Sequence, residues 1–252
     1  MAFDHFVHLV HDLDAASRDF SALGFTVQER ADTIEGKTRF RFVCFDDGSY
    51  ILLTAFADQA AQTAHRLGEV LAHGEGPADY SFTVDSSAAA GETLTAAGFP
   101  VKGPVPVSNV VASGERWALD LLMTGRGAGG DVALPFLVSD VEGRSARVPA
   151  PRPHANGATG IRSLTVASKD PRRCADALTA MGGREVAHGD QGIDFDFGDV
   201  TMRVIDCAAA SDVFPGGGMV SCEIGTKAEL PEGGRLLDPA LAHGAAMRLV
   251  AA

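Results

Sequence analysis

Three segments of the chain share one order of apolar and polar positions. In the first, residues 3–10 alternate, so that His5 lies on one face of a predicted strand and His8 on the other. Residues 13–23 then place their apolar side chains on one helical stripe, and Gly24 suits the left-handed end of a helix. The pattern predicts a strand followed by an amphipathic helix.

The same order returns twice further along the chain. The interval of 14 positions from Val10 to Gly24 equals the interval from Val84 to Gly98. Each unit is predicted as a βαβββ module, and a module of this kind has an apolar sheet face that it must bury against another module. The extended runs that follow the three helices are 25–29, 38–45 and 50–56, then 101–105, 108–112 and 116–123, then 184–188, 192–197 and 200–205.

A stretch rich in proline and arginine divides the chain. Residues 141–158 have the composition of a linker. We therefore expect a first domain at 1–140, which holds modules one and two, and a second at 159–252. The second domain holds module three and a degenerate fourth, because residues 219–252 offer strand-like runs without a helix of the repeat type. The predicted fold class is α+β with tandem βαβββ modules.

Composition narrows the classes of partner. The chain has 252 residues, of which 46% are apolar and 21% charged, a balance typical of a globular protein. A net charge of −12 argues against nucleic acid or an anionic membrane surface as a partner, because phosphates would be repelled. No apolar run suggests a membrane span or a signal peptide. The four cysteines are scattered, which favours reduced thiols and a cytoplasmic location.

Several short motifs, together with the modules, resemble the vicinal oxygen chelate superfamily, and more narrowly its glyoxalase-like domain proteins. The superfamily includes glyoxalase I, extradiol dioxygenases and bleomycin-resistance proteins. The resemblance covers positions 3 to about 206 and implies that paired modules curl into half-barrel sheets. The motifs that carry it are FDHFVH at 3–8, DGSYILL at 47–53, GERW at 114–117, LPFLV at 134–138 and HANGA at 154–158.

The resemblance also implies a divalent metal (Zn, Fe, Mn or Mg) that binds two neighbouring substrate oxygens and acts as a Lewis acid. His5 matches the ligand on the first strand. Leu52 stands where relatives have a glutamate ligand, and a leucine cannot coordinate a metal. Asp79 corresponds to His5 in the second module, and Asp120 lies in the predicted last strand of that module. His5, Asp79 and Asp120 are therefore the candidate metal site. In the third module Ser163 takes the His5 position, so the second half is expected to be structural.

Each of these residues also has a simpler interpretation. His5 is either a metal ligand or general base, or a histidine hydrogen-bonded into the core. The two aspartates are oxygen donors for a hard cation, or solvated residues at strand ends. His8 and Trp117 could line the substrate pocket together with Leu52, or pack in the core.

The leading hypothesis is an enzyme that acts on a small, partly apolar substrate with adjacent oxygens, by isomerase, lyase or ring-opening dioxygenase chemistry. The alternative is a metal-free protein that binds or sequesters a small molecule, in which Leu52 lines an apolar pocket. A scaffold that dimerises through its sheet edges is a third hypothesis. A homodimer is expected, because an incomplete fourth module leaves a sheet edge free.

Overall fold

The chain folds into two seven-stranded sheets, in a computed structural model that describes residues 1–125, 130–210 and 215–252. The first sheet curls into a half-barrel, and the architecture is the α+β fold of paired βαβββ modules that the sequence predicts. Within the described residues, no helix is both long enough and apolar enough to cross a membrane.

The first sheet contains the strands of modules one and two, in the order β2-β3-β1-β4-β7-β6-β5. In each module the first strand pairs in parallel with the last, as β1 does with β3 and β4 with β7. The two modules meet where β1 pairs with β4 in antiparallel orientation. The elements are β1 (Ala2–Leu9), α1 (Leu13–Ala22), β2 (Thr38–Cys44), β3 (Tyr50–Phe56), α2 (Gln59–Ala64), α3 (Gly68–His73), β4 (Gly76–Thr83), α4 (Ser87–Ala96), β5 (Val101–Val110), β6 (Arg116–Thr124) and β7 (Phe136–Glu142).

The second sheet repeats this plan in the order β13-β14-β12-β8-β11-β10-β9. Here β8 pairs in parallel with β11, and β12 pairs in parallel with β14. The elements are α5 (Arg144–Arg147), β8 (Ala158–Ser168), α6 (Pro171–Ala180), β9 (Arg184–Gly189), β10 (Gly192–Asp196), β11 (Thr201–Asp206), a 3₁₀ turn (Cys207–Ala209), β12 (Gly218–Thr226), β13 (Arg235–Leu236) and β14 (Ala246–Ala251).

Local sequence explains where α1 begins and how the chain turns after it. The Asp12 side chain accepts hydrogen bonds from the amides of Asp14 and Ala15, which caps α1. The helix buries Leu13, Ala16 and Phe20 against the sheet. After the helix, Gly24 has φ +90°, and a Cβ there would lie 2.9 Å from the Cβ of Asn156.

A single apolar core joins the two sheets through the faces that carry the helices. It contains Phe6, Phe20 and Phe82 of the first half together with Leu164 and Phe195 of the second. The 154–158 motif lies at this joint. His154 accepts a hydrogen bond from the amide of Thr26 at 2.9 Å, and its other ring nitrogen lies 3.1 Å from the carbonyl of Cys44.

The predicted strand at 25–29 is wrong, because that run forms only an isolated bridge from Gln28 to Phe42. Two details of the second module also differ from the prediction. The runs 101–105 and 108–112 form one strand, β5, because an irregularity between Lys102 and Val105 lets the ladder continue past the prolines. The last strand of the module is β7 and not the run 116–123, because β7 is the strand that pairs in parallel with β4. All four cysteines are free thiols, as expected, and three of them are buried.

Candidate functional site

A cavity of about 430 Å³ lies on the concave face of the first sheet. Its wall is mostly apolar and includes Val7, Leu9, Leu52, Leu119 and Val138. Side chains from both modules line it because their strands curl around the same hollow. Six aromatic residues also contribute to the wall: Phe40, Phe42, Tyr50, Phe56, Trp117 and Phe136.

Two segments outside the strands cover this apolar face. The first, residues 28–34, runs between the two edges of the curved sheet: Gln28 pairs with Phe42 of β2, and Asp32 pairs with Val111 just after β5. We call it the strap. The second holds α2 and α3, and residues 64–67 between these helices line the cavity. The covers shield apolar side chains from water and leave a partly open, ligand-sized space.

A β-bulge shapes the polar end of the cavity. In the ladder between β1 and β4, Phe3 is opposite Phe82 and His5 is opposite Ser81, which leaves Asp4 as an extra residue in β1. A bulge of this kind changes the direction of the extra side chain. Asp4 is fully buried, and its Oδ2 lies 2.8 Å from Nδ1 of His5.

Asp4 is the centre of a buried hydrogen-bond network. Thr83 and Tyr50 donate hydroxyl hydrogen bonds to its two oxygens at 2.9 and 3.1 Å. Arg144 and Arg147 form ion pairs with it at 2.7 and 3.4 Å. Burial alone would raise the pKa of Asp4, but His5 and the two arginines outweigh burial and hold that pKa well below its usual value. The carboxylate is therefore charged over the neutral pH range.

His5 has one ring nitrogen engaged and the other available. A charged carboxylate can only accept, so Nδ1 of His5 carries the hydrogen and Nε2 carries the lone pair. The ring stacks on Tyr50 with centroids 4.5 Å apart and meets the edge of Phe136 at 5.4 Å. Within the described part of the chain no group hydrogen-bonds to Nε2. The imidazole lines the cavity, so this nitrogen is the one that a ligand can reach.

A second polar pair crosses the cavity wall from the covering segment. Arg66, between α2 and α3, forms an ion pair with Asp79 of β4. The guanidinium also lies 6.0 Å from the ring centre of Phe136. Burial raises the pKa of Asp79 despite the opposing effects of Arg66, the Tyr80 amide and His5. Arg66 therefore holds the covering segment against the sheet at the cost of burying a carboxylate.

The strap is held by a third arginine. The Arg30 guanidinium lies between two aromatic rings, 5.1 Å from the centre of Phe42 and 4.6 Å from that of Trp117. It also forms an ion pair with Asp32 at 2.6 Å. The indole of Trp117 donates a long hydrogen bond of 3.4 Å to the same carboxylate. Cation–π contacts of this kind contribute to closing the cavity at the strap.

The structure brings some of the sequence-predicted site residues together and separates others. His5, Leu52, Asp79 and Trp117 all line the cavity. Asp120 does not, because its neighbours Leu119 and Leu121 point into the cavity and an aspartate between them faces the other side of β6.

His8 faces the core on the opposite side of β1 from His5. Its ring meets the edge of Phe20 at 5.4 Å, and neither ring nitrogen makes a hydrogen bond of ordinary length within the described residues. Burial, and next the charge of His243, lower the pKa of His8 to about 3. His8 is therefore a neutral core residue.

The cavity does not offer a metal the ligands it would need. Zn²⁺ in a catalytic site takes three protein ligands from His, Cys, Asp or Glu, and Mg²⁺ takes one or two carboxylates. No cluster of three such residues exists among residues 1–125, 130–210 and 215–252. Asp79 is occupied by Arg66, and the glutamate position holds Leu52. In module two the corresponding position holds Phe136, because β7 and not β6 is the last strand. These donors do not fit a metal ion.

Sequence reasoning missed Asp4, Tyr50, Arg66 and Arg147. Asp4 was beside His5 in the sequence, but strict alternation places neighbours on opposite faces, and only a bulge brings them together. Arg66 lies in a segment between modules that the repeat does not describe. Arg147 lies in the stretch that was predicted as a linker.

Comparisons with known proteins agree with this fold. The family model of the glyoxalase-like domain matches residues 3–182. No curated protein sequence is similar to the chain. A hypothetical protein from Staphylococcus aureus superposes with a TM-score of 0.75 at 16% identity, covering 100% of this chain and 99% of that one.

Two further solved structures are less similar. A mutant of 4-hydroxymandelate synthase from Streptomyces coelicolor has a TM-score of 0.58 at 14% identity, covering 88% of this chain and 70% of that one. The Mn(II)-bound glyoxalase from Novosphingobium aromaticivorans has a TM-score of 0.49 at 10% identity, covering 90% and 66%. At such identities the likeness concerns the fold alone.

Proposed function

Because the chain belongs to the glyoxalase-like domain family of the vicinal oxygen chelate superfamily, we propose that it binds a small, largely apolar organic molecule in the cavity of its first sheet, without a metal ion. The observation that carries this proposal is the cavity itself. It has a volume of about 430 Å³, which is typical of small-molecule sites, and its wall is mostly apolar.

The apolar residues at the ligand positions support binding over metal-dependent catalysis. Leu52 and Phe136 add to the apolar wall at the two places where a metal site would need acids. The alternative, an isomerase, lyase or dioxygenase that uses Zn, Fe, Mn or Mg, would need a third donor beside His5 and Asp79. No specific observation favours it.

A thermal-shift series tests the proposal. We expect small aromatic and alicyclic compounds to raise the melting temperature, because a ligand at 100 times its Kd stabilises the folded state by about 2.7 kcal/mol. Mn²⁺, Fe²⁺, Zn²⁺ and Mg²⁺ are expected to leave it unchanged, and a chelator should have no effect on ligand binding.

A matched pair of variants locates the site. Leu52→Trp adds volume inside the cavity and should abolish stabilisation by the compounds, whereas Val186→Trp adds the same side chain at an exposed position of β9 and should not. Equal stabilisation of both variants would place the ligand elsewhere, and stabilisation by metals alone would favour the enzyme hypothesis.

We also propose how the chain assembles and where it is located. A homodimer in the cytoplasm stays our prediction, since free sheet edges such as β9 can pair with another copy. Light scattering that gives the mass of one chain would contradict the dimer.

A further inference from the structure

The cavity wall combines aromatic rings with a proton acceptor. Six aromatic side chains line a space of about 430 Å³, and a planar ring gains stacking and edge contacts from such a wall. His5 is the only cavity-lining side chain in the described residues whose imidazole is tied to a buried carboxylate. The free Nε2 is thus a polar anchor in an otherwise aromatic surface.

The network behind His5 determines which hydrogen bond it can make with a ligand. Asp4 is fixed by Thr83, Tyr50, Arg144 and Arg147, so it cannot turn away from Nδ1. With Nδ1 donating to Asp4, Nε2 can only accept a hydrogen bond or take up a proton. A ligand group that meets it must therefore be a donor. If the proton moves to Nε2, the carboxylate of Asp4 stabilises the imidazolium.

One cation of the cavity wall is left to meet an anionic group on a ligand. Four basic side chains line the wall: Arg30, Arg66, Lys102 and Arg147. The three arginines already pair with aspartates, Arg30 with Asp32, Arg66 with Asp79 and Arg147 with Asp4. Lys102 has no ion-pair partner within the part of the chain that the structure describes, and it is exposed.

The register of β1 and β4 places His5, the proton acceptor, near Arg66, a cation. Val7 is directly opposite Asp79 in the β1–β4 ladder, and His5 is two positions along β1 from Val7. Diagonal neighbours of this kind are roughly 7–8 Å apart. Arg66, paired with Asp79, retains further N–H donors, because a guanidinium carries five. A negative oxygen near His5 would therefore have a cation within reach.

We propose that the ligand is a small aromatic compound with an acidic hydroxyl group, and that this hydroxyl gives its proton to Nε2 of His5. The O–H bond breaks, its electron pair stays on the oxygen, and the proton forms the imidazolium that Asp4 stabilises. No oxidant, reductant or metal takes part. The inference rests on the proposed function and specifies its ligand class.

Paired probes test the proposal on the whole protein. 4-Nitrophenol and 4-nitroanisole share a ring and a nitro group, but only the phenol has an acidic proton, and its phenolate has a distinct absorbance. We expect the phenol to bind about 10-fold more tightly or better, since a hydrogen bond to a charged group is lost with the ether. Binding at a pH where free 4-nitrophenol is mostly neutral should increase the phenolate absorbance.

Variants of His5 separate hydrogen bonding from proton uptake. His5→Gln can still accept a hydrogen bond but cannot take the proton, so the gain in phenolate absorbance should disappear. His5→Leu should also remove the preference for 4-nitrophenol over 4-nitroanisole. His188→Gln, an exposed histidine of β9, is the matched control and should behave as the unaltered protein does.

Asp4 acts on the ligand only through His5, so it is a positioning residue, and a spectroscopic measurement tests this role. In the unaltered protein, ¹⁵N NMR should find the hydrogen of neutral His5 on Nδ1. In Asp4→Asn that preference and the phenolate absorbance should both weaken. A hydrogen on Nε2 in the unaltered protein would overturn the proposal even if the variant fails to fold.

The outcomes distinguish this inference from the proposed function. Equal affinity for the two probes, without a change in absorbance, would overturn the acidic-hydroxyl ligand and leave small-molecule binding intact. Binding of neither probe would count against both, because an aromatic cavity of this size would then accept no ring compound of matching size.

Discussion

The two sheets share a strand order but differ in the faces that they turn away from the common core. In the first sheet this face carries Leu52, Leu119 and Val138, and it encloses the cavity. In the second, the corresponding strands carry polar pairs: Ser163 donates a hydrogen bond to Glu223 at 2.8 Å, and Arg203 pairs with Asp194 at 2.6 Å. The module thus specifies the sheet, and the residues on one face specify whether that face forms an apolar cavity.

The difference follows from what each face must do. Both sheets bury their helix-bearing faces in one core, which satisfies the folding requirement of every module. The other face is free to vary. An apolar face needs a cover, because exposed apolar patches favour association with other molecules. The strap and the segment with α2 and α3 supply that cover for the first sheet, whereas the polar face of the second can meet water.

The largest expected effect on stability comes from placing a carboxylate on the apolar face of the first sheet, compared with the polar face of the second. Leu119→Asp places a carboxylate at a position that is 7% exposed, beside the apolar wall, and should lower the free energy of unfolding by about 3 kcal/mol or more. Thr201→Asp introduces the same carboxylate on the exposed face of β11 and should cost less than about 1 kcal/mol. Urea unfolding measures both, and similar losses would show that the faces are equivalent.

A second comparison concerns the two histidines of β1. His8 is buried neutral, with a pKa lowered to about 3 from the usual 6.5. An unfolded chain protonates this histidine near pH 6.5 and the folded chain does not, so stability falls as the pH drops from 7 toward 3. The loss between pH 7 and 5 attributable to His8 is about 2 kcal/mol, at 1.36 kcal/mol per pH unit.

His8→Leu should remove this part of the acid sensitivity, which unfolding free energies at pH 7 and pH 5 would reveal. His188→Gln in the second sheet is the control and should keep the full loss. An unchanged pH dependence in His8→Leu would mean that His8 is not buried in its neutral form.

The smallest expected effect on stability concerns the contacts that hold the strap. Trp117→Phe removes the hydrogen bond to Asp32 and weakens the cation–π contact with Arg30, at a cost of about 1 kcal/mol. Hydrogen exchange should become faster at the amide of Thr33, which donates to the carbonyl of Val110. Exchange at β11 in the second sheet should stay the same. Faster exchange in both would indicate a global loss of stability.

Much of the fold was predictable because the period of apolar residues along the chain indicates which side chains are buried. The alternation at 3–10 correctly separated the cavity face with His5 from the core face with His8. The resemblance and the repeat together predicted the paired modules and the half-barrel. These features depend on many positions at once, so single irregularities do not hide them.

The polar half of the site depends on single irregularities and was not predictable. One bulge decides that Asp4 meets His5, and no period reveals a bulge. Because of its prolines, the single strand β5 was predicted as two strands. The last strand of module two was therefore predicted at β6 and not at β7. That shift made Asp120 a candidate ligand, although it lies off the cavity wall.

The connection between the sheets reaches into the site of the first. Arg144 and Arg147 belong to α5, which follows β7 and precedes β8, yet both form ion pairs with Asp4. A fragment that ends at residue 140 would leave Asp4 buried without either cation, and an uncompensated buried charge is strongly destabilising. The two halves are thus electrostatically interdependent, and the histidine that lines the cavity owes its orientation to residues encoded beyond the half that holds it.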